Sequence, residues 1–165
     1  LHDALPILDF NLPERFDIKY QDKDGQLKTP VMLHRVIFGS MERFHGILIE
    51  HYAGAFPTWL AFEQAAVVPV SGEFDDYARQ VNDALLAADI RSNAYLDDGN
   101  MKAKIKQISV EHRTPYIIVV GQKEKDEGTV TVRFRFSSKI PQQTFKLADF
   151  IAYVQDKVNT HFIGI

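Results

Sequence analysis

Between Pro115 and Gly121 the chain reads Pro-Tyr-Ile-Ile-Val-Val-Gly, a short apolar run without alternation. Such a run suits a strand covered on both faces, so it belongs in the middle of a layered sheet. Thr129–Phe136 alternates strictly, with Val130, Val132, Phe134 and Phe136 on one side and Thr129, Thr131, Arg133 and Arg135 on the other. This predicts a strand with one wet, basic face. Upstream, Gln64–Val70 reads as a strand, and Ser71 caps a helix with Phe74, Ala78, Val81, Leu85 and Ala88 on one face. That helix carries Glu73, Asp75 and Asp76 in its first turn, where the helix dipole favours anions. Arg91–Leu96 is a second strand. A basic helix follows, with Met101, Ile105, Ile108 and His112 on one side and Lys102, Lys104 and Lys106 elsewhere on its surface. Leu147, Phe150, Ile151, Val154 and Val158 define a closing helix. The order βαβαββα predicts an α/β domain of about 100 residues, a three-layer arrangement around a mixed, mainly parallel sheet.

The pattern before residue 60 is different. Ile18–Tyr20 and Val31–Ile37 read as two strands around a polar connection containing Asp24-Gly25, a hairpin signal. A helix starts after Ser40, carries Phe44, Ile47, Leu48 and His51 at helical spacing, and is stopped by Gly54 and Pro57. This block looks like the tail of a domain, with a boundary near residue 60. The 165 residues suffice for one domain, or one and a remnant, and the chain opens on Leu1, as expected for a fragment of something longer.

A net charge of -3 argues against gripping nucleic acid or membrane by bulk positive charge. The charge is uneven, however: residues 101–135 hold eight Lys and Arg against four Asp and Glu, whereas 60–100 hold two against eight. The basic stretch is either a solvated surface or a face for an anionic partner. With no cysteine, disulfides, thiol nucleophiles and cysteine-ligated metals are excluded, which fits a reducing cytoplasm. No apolar run approaches the roughly 18 residues needed to span a bilayer, and no leader pattern opens the chain. A soluble, cytoplasmic chain with no membrane partner is expected.

Few catalytic constellations survive inspection. No His-Glu-x-x-His occurs, and His45 and His51 stand six apart, off adjacent turns of one helix face, so no metal site made only of this chain's residues is expected. His34 lies in the apolar run Val31–Ile37, either as a core histidine satisfied by a backbone carbonyl or as a ligand. The turn Pro69-Val70-Ser71-Gly72-Glu73 has a single glycine and an acid where a phosphate would sit, which argues against a dinucleotide or Walker-type site. No Gly-x-Ser-x-Gly elbow is present. Arg43 sits near a helix start, where the dipole does not call for a cation; its guanidinium could stack on a base, pair with phosphate, or bridge to Glu42 or Glu50.

The segment from Thr29 to Gly54, with Met32-Leu33-His34-Arg35-Val36-Ile37-Phe38-Gly39-Ser40-Met41-Glu42-Arg43-Phe44 at its centre, closely resembles the end of the catalytic domain of the threonyl-tRNA synthetases, including class II motif 3. Phe56-Pro57-Thr58-Trp59-Leu60-Ala61 resembles that family's junction to its anticodon-binding domain. Pro115–Gly121, Lys123-Glu124 and Val130-Thr131-Val132-Arg133 resemble the later part of that domain.

The resemblance implies three parts: residues 1–7, which do not fit the family's Cys-Gly-Thr-Ile-Gln-like stretch and are read as a foreign leader; 8–59, the end of a class II catalytic domain and a remnant of its antiparallel sheet; and 60–165, the anticodon-binding domain. It implies a parent ligase that activates threonine with ATP and Mg2+ and transfers it to tRNA(Thr), working as a homodimer. His34 takes the place of one of three protein ligands to a catalytic zinc that also binds threonine; the other two lie upstream, outside this sequence. Zinc with an open position suits that task, because an apolar pocket separates a hydroxyl from its isostere poorly. Arg43 matches the motif 3 arginine that packs on the adenine of ATP, and Ser40 lies beside the threonine pocket. Glu124 and Arg133 match positions that contact anticodon bases, and Asp98 stands where the family has an anticodon-contacting asparagine. An aspartate accepts hydrogen bonds but cannot donate them at neutral pH; Asn100, two residues on, could substitute. With two zinc ligands and motifs 1 and 2 missing, residues 1–165 alone are expected to be inactive in charging. The other reading is a non-catalytic RNA-binding or regulatory α/β module.

Overall fold

The computed structural model describes residues 6–96, 99–135 and 141–163. The chain divides into two compact units, residues 1–48 and 49–165.

In the first unit β1 (Ile7–Asp9) pairs antiparallel with β4 (Met32–His34), placing Leu8 opposite Leu33. Asp9 then caps α1 (Asn11–Arg15): its Oδ1 accepts the amides of Asn11 at 2.8 Å and Leu12 at 3.0 Å. A hairpin of β2 (Tyr20–Gln21) and β3 (Leu27–Lys28) follows. Gly25 turns it at φ +74°, a conformation glycine adopts without strain, and its amide bonds the Asp22 carbonyl at 2.9 Å. The expected pairing of Ile18–Tyr20 with Val31–Ile37 is therefore corrected. The turn sits at Asp24-Gly25, but the ladder ends at Lys28, shortly before Pro30, which has no N–H to give. The next strand pairs with β1 instead. Helix α2 (Met41–Tyr52), within which the division between the units falls, ends through Ala53 and Gly54, both at positive φ.

The second unit is a five-stranded mixed sheet in the order β6-β5-β7-β8-β9. Its strands are β5 (Ala65–Pro69), β6 (Ser92–Ala94), β7 (Tyr116–Val120), β8 (Thr129–Phe134) and β9 (Gln143–Lys146). β5 pairs parallel with β6 and β7, while β7–β8 and β8–β9 are antiparallel. The Pro115–Gly121 run is the central strand, as its composition predicts. Helices α3 (Asp75–Ala87) and α6 (Leu147–Asn159) cover one face, with Val81, Leu85, Phe150 and Val154 packed over Val67, Ile118 and Val132. On the other face Met101 and Ile105 of α4 (Met101–Gln107), with Ile108, pack on Ala66, Val68 and Ile117. Each fully buried side chain of this size contributes about 1.5–3 kcal/mol, so these three layers supply the stability.

Several local expectations change. A helix α5 (Gln122–Glu127) and strand β9 join the predicted order. Ser71 is extended but makes no capping bond; α3 is entered through a 3-10 turn over Gly72–Phe74. Strand β6 keeps only the middle of Arg91–Leu96. Lys104 is buried rather than on the surface, its Nζ donating to the Tyr95 carbonyl at 3.1 Å, because one residue before Ile105 it faces the β6–α4 corner. Nor is the alternate face of β8 fully wet: Thr131 is buried, and Arg135 is half-buried and gives its guanidinium to the carbonyls of Arg113 and Phe56, each at 2.7 Å.

Candidate functional site

Helix α4 covers only part of its face of the sheet. It lies on β5 and β7, where Ala66, Val68 and Ile117 are buried. Toward β8 and β9 the same face carries Thr131 and half-buried Arg133, then exposed Thr144 and Lys146, aligned across the ladder by the pairing of Ile117 with Arg133 and of Thr131 with Thr144. Half of the sheet is thus a platform of polar and cationic side chains. Among the described residues the Arg133 side chain makes no hydrogen bond or ion pair, which leaves its five donors for a partner.

Glu124 stands at one end of this platform. Helix α5 begins after Gly121, and the Glu124 carboxylate turns back so that Oε2 accepts the Gly121 amide at 3.0 Å and Oε1 accepts the Thr131 hydroxyl at 2.7 Å. Gly121 sits in a tight corner: a Cβ there would lie 3.2 Å from Cγ2 of Val70 and 3.4 Å from the Glu124 carboxylate. Val70 also lines a polar cavity of about 300 Å³ beyond the carboxyl end of β5, together with Asn100, Asp75 and Lys104. Carboxyl ends of parallel strands, where successive crossovers leave to opposite faces, are where open α/β sheets bind ligands. Asn100 caps α4, its Oδ1 accepting the Lys102 amide at 2.9 Å, which leaves its amide group to donate. Asp98 lies outside the described residues.

A family model described as an anticodon binding domain matches residues 64–157, and one for the tRNA synthetase class II core domain (G, H, P, S and T) matches residues 6–52. The chain belongs to the anticodon-binding-domain family. It is similar to the threonine–tRNA ligase of Thermus thermophilus, 51% identical over 144 residues that make up 87% of this chain and 21% of the relative. The threonine–tRNA ligase catalytic subunit of Sulfurisphaera tokodaii is 42% identical over 92% of this chain and 27% of its own length. Among solved structures, the RNA binding domain of threonyl-tRNA synthetase from Cryptosporidium parvum Iowa II superposes with a TM-score of 0.77 at 32% identity, covering 92% of this chain and 38% of that one. The resemblance to threonyl-tRNA synthetases and the mixed α/β fold are borne out. The chain spans about a fifth to a quarter of the length of the curated relatives it matches.

Within the anticodon-binding domain Glu124 and Asn100 stand beyond the carboxyl ends of β7 and β5, while Arg133, opposite Ile117, lies on the open platform toward the amino end of β7. Thr144 and Lys146 join them from β9, whose single apolar residue, Phe145, gives too short an alternation to be read as a strand. A second cluster lies elsewhere in this unit. Glu63 accepts from Asn93 at 2.7 Å, Tyr95 at 2.9 Å and Thr114 at 2.7 Å, and His112 Nδ1 is 2.9 Å from the Tyr95 oxygen, beside a largely apolar cleft of about 410 Å³. Burial, then the Glu63 carboxylate, pushes the Tyr95 phenol well above its ordinary range. Nothing in the local sequence of Glu63 signals this network.

In the first unit the predicted residues stand on separate elements. His34 Nε2 is 3.0 Å from Asp9 Oδ2, so its partner is a carboxylate and not the backbone carbonyl that a core histidine would need. Asp9 is held below the usual carboxylate range, first by the Leu12 amide. Ser40 donates to Glu42 Oε2 at 2.7 Å and lies 3.4 Å from the Arg43 amide, at the start of α2. The exposed Arg43 forms no ion pair with Glu42 or Glu50 among the described residues. Those residues also hold no group of three His, Cys, Asp or Glu able to bind a metal. No helix among them is long and apolar enough to cross a membrane.

Proposed function

We propose that the C-terminal α/β unit reads the anticodon of tRNA(Thr), and that the chain acts within a ligase that activates threonine with ATP and Mg2+ and transfers it to the 3′ end of that tRNA. The observation that carries this reading is that Glu124 and Arg133 both stand on the open half of the sheet, Glu124 through its bond from Thr131 and Arg133 on the same face of β8, with Asn100 at the carboxyl end of β5. RNA is read by sequence chiefly in loops, where splayed bases expose hydrogen-bonding edges. A carboxylate accepts only and a guanidinium donates only, so Glu124 and Arg133 select complementary edges. Lys146, on the same face of the sheet, supplies charge for phosphates without requiring a basic protein overall.

For residues 6–52 the same reading assigns Arg43, whose guanidinium is uncommitted, to packing on adenine, and Ser40 to the edge of the threonine pocket. His34 would hold zinc together with ligands outside this chain, and the metal would supply Lewis-acid recognition of the threonine amino and hydroxyl groups. Asp9, on Nε2, fixes the imidazole so that Nδ1 is the nitrogen left for a metal. A single ligand makes no site, so residues 1–165 alone should charge no tRNA; aminoacylation above background would overturn that assignment.

The test of anticodon reading is binding of the 165-residue chain to a threonine anticodon stem-loop and to the same loop with its second and third anticodon bases swapped, at two salt concentrations. Preference for the cognate loop that falls about tenfold with Arg133→Ala is the expected outcome, a loss of about 1–3 kcal/mol. Equal, weak and strongly salt-dependent binding of both loops would overturn it.

A further inference from the structure

The assignment of Glu124 to a base leaves open what holds its carboxylate in place. Its Oε2 is tied to the Gly121 amide, which suffices to cap α5; the second bond, from the Thr131 hydroxyl to Oε1 at 2.7 Å, does nothing for the helix. Thr131 is 8% exposed, and its oxygen lies 3.1 Å from the hydroxyl of Thr144 on β9. Proton counting fixes the direction of this chain. An ionised carboxylate can only accept, so the single proton of Thr131 points at Glu124, and the Thr131–Thr144 bond must be donated by Thr144. The relay runs Thr144 O–H to Thr131 O–H to Glu124, from β9 across β8 to α5. Bonds to a charged acceptor are stronger than neutral ones, and hydroxyls in series polarise one another.

We infer that Thr131 and Thr144 are positioning residues, a hydroxyl relay that holds the Glu124 carboxylate in the orientation from which its remaining lone pairs accept N–H groups of a base on the open half-sheet. This rests on the reading of Glu124 as a base contact, and the experiment separates the two. The quantity measured is the ratio of affinities for the cognate and the swapped anticodon loop, by fluorescence anisotropy with the 165-residue chain, each variant first checked by thermal melting. Thr131→Val keeps the volume and removes the hydroxyl; the ratio is expected to fall about fivefold or more. Thr131→Ser, which retains the donor, should restore it to within about twofold of the parent value, a rescue that a packing role would not produce. Thr144→Val removes only the outer donor and should lower the ratio by about twofold to threefold; if Thr131→Val fails to fold, an unchanged ratio in Thr144→Val overturns the relay. A ratio lost in Glu124→Gln but kept in Thr131→Val also overturns the relay alone. A ratio unchanged in Glu124→Gln removes Glu124 from base reading, and the relay's purpose with it.

Discussion

Val67, Val81, Ile118, Val132 and Phe150 of the second unit are 0% exposed, whereas Ile7, Leu8, Phe10, Phe16 and Leu27 of the first are 60–72% exposed. Both groups are apolar side chains of similar hydrophobicity on or beside regular elements; what differs is the number of layers around them. Five strands with helices on both faces close a core. Paired ribbons of two or three residues per strand have no second layer, and an isolated two-stranded hairpin is marginal in water. Apolar patterning therefore yields burial only where topology supplies something to pack against, and the stability of this chain resides in residues 49–165.

The largest test of that contrast is Phe150→Ala. The ring packs edge-on to Tyr116, with centroids 5.6 Å apart, and lies 5.8 Å from Phe145. Emptying the site should cost about 3–5 kcal/mol, read as a fall in the urea midpoint with little change in slope. A cost below about 1 kcal/mol would mean that the second unit lacks the tight packing drawn here.

Next comes the join between the entering loop and the sheet. Gln64 is fully buried: its Nε2 donates to the Thr58 carbonyl at 3.0 Å and its Oε1 accepts the Arg91 amide at 2.9 Å. Gln64→Leu keeps most of the volume but strands both backbone groups, and should cost about 2–3 kcal/mol in the same assay. A neutral result would show that water reaches this corner and that the closed unit is more open than its core.

These two residues also show what was legible in the sequence. Phe150 reads as core from helical spacing alone, as Val130, Val132 and Phe134 do from alternation, because a repeating period carries the information. Gln64 and Lys104, both buried, and half-buried Glu63 carry none, since a polar residue leaves solvent when a particular distant partner satisfies it, and that partner is set by topology. The wet face assigned to Thr129–Phe136, whose last residue lies outside the described residues, holds only in part for the same reason: Arg135 finds the Phe56 carbonyl 79 positions away. At the site, Glu124 and Arg133 came from motif resemblance and the platform around them from the structure, because β9 is too short to announce itself.

Alkaline pH sharpens the comparison further. Burial pushes the phenols of Tyr116, Tyr95 and Tyr77 upward, and all three lie in the second unit. A raised folded-state pKa means that the stabilisation is complete below the unfolded value near pH 10 and is lost as pH rises beyond it, because the unfolded chain ionises first. The fully buried Tyr116 removes up to about 1.4 kcal/mol per pH unit in that condition, and the partly exposed Tyr95 and Tyr77, screened by solvent, remove less. The urea midpoint should hold steady to about pH 9.5 and then fall, less steeply in Tyr116→Phe. A midpoint flat to pH 11 would contradict the burial of these groups.

The smallest effect is expected at Phe10, which is 65% exposed and precedes α1. At the fully buried Phe150 of the second unit a polar replacement would leave both a cavity and a stranded hydroxyl. Here Phe10→Ser removes a ring that already meets water, so little transfer free energy is forfeited and no cavity forms; the change should stay within about 0.5 kcal/mol. The α1 cap comes from Asp9 and is untouched. If Phe10→Ser instead shifts the midpoint by more than about 1 kcal/mol, the ring has a partner in solution, and the first unit is held by a layer it acquires there. A concentration-dependent midpoint would then identify that layer as a second copy of the chain, and a concentration-independent one would place it within the chain itself.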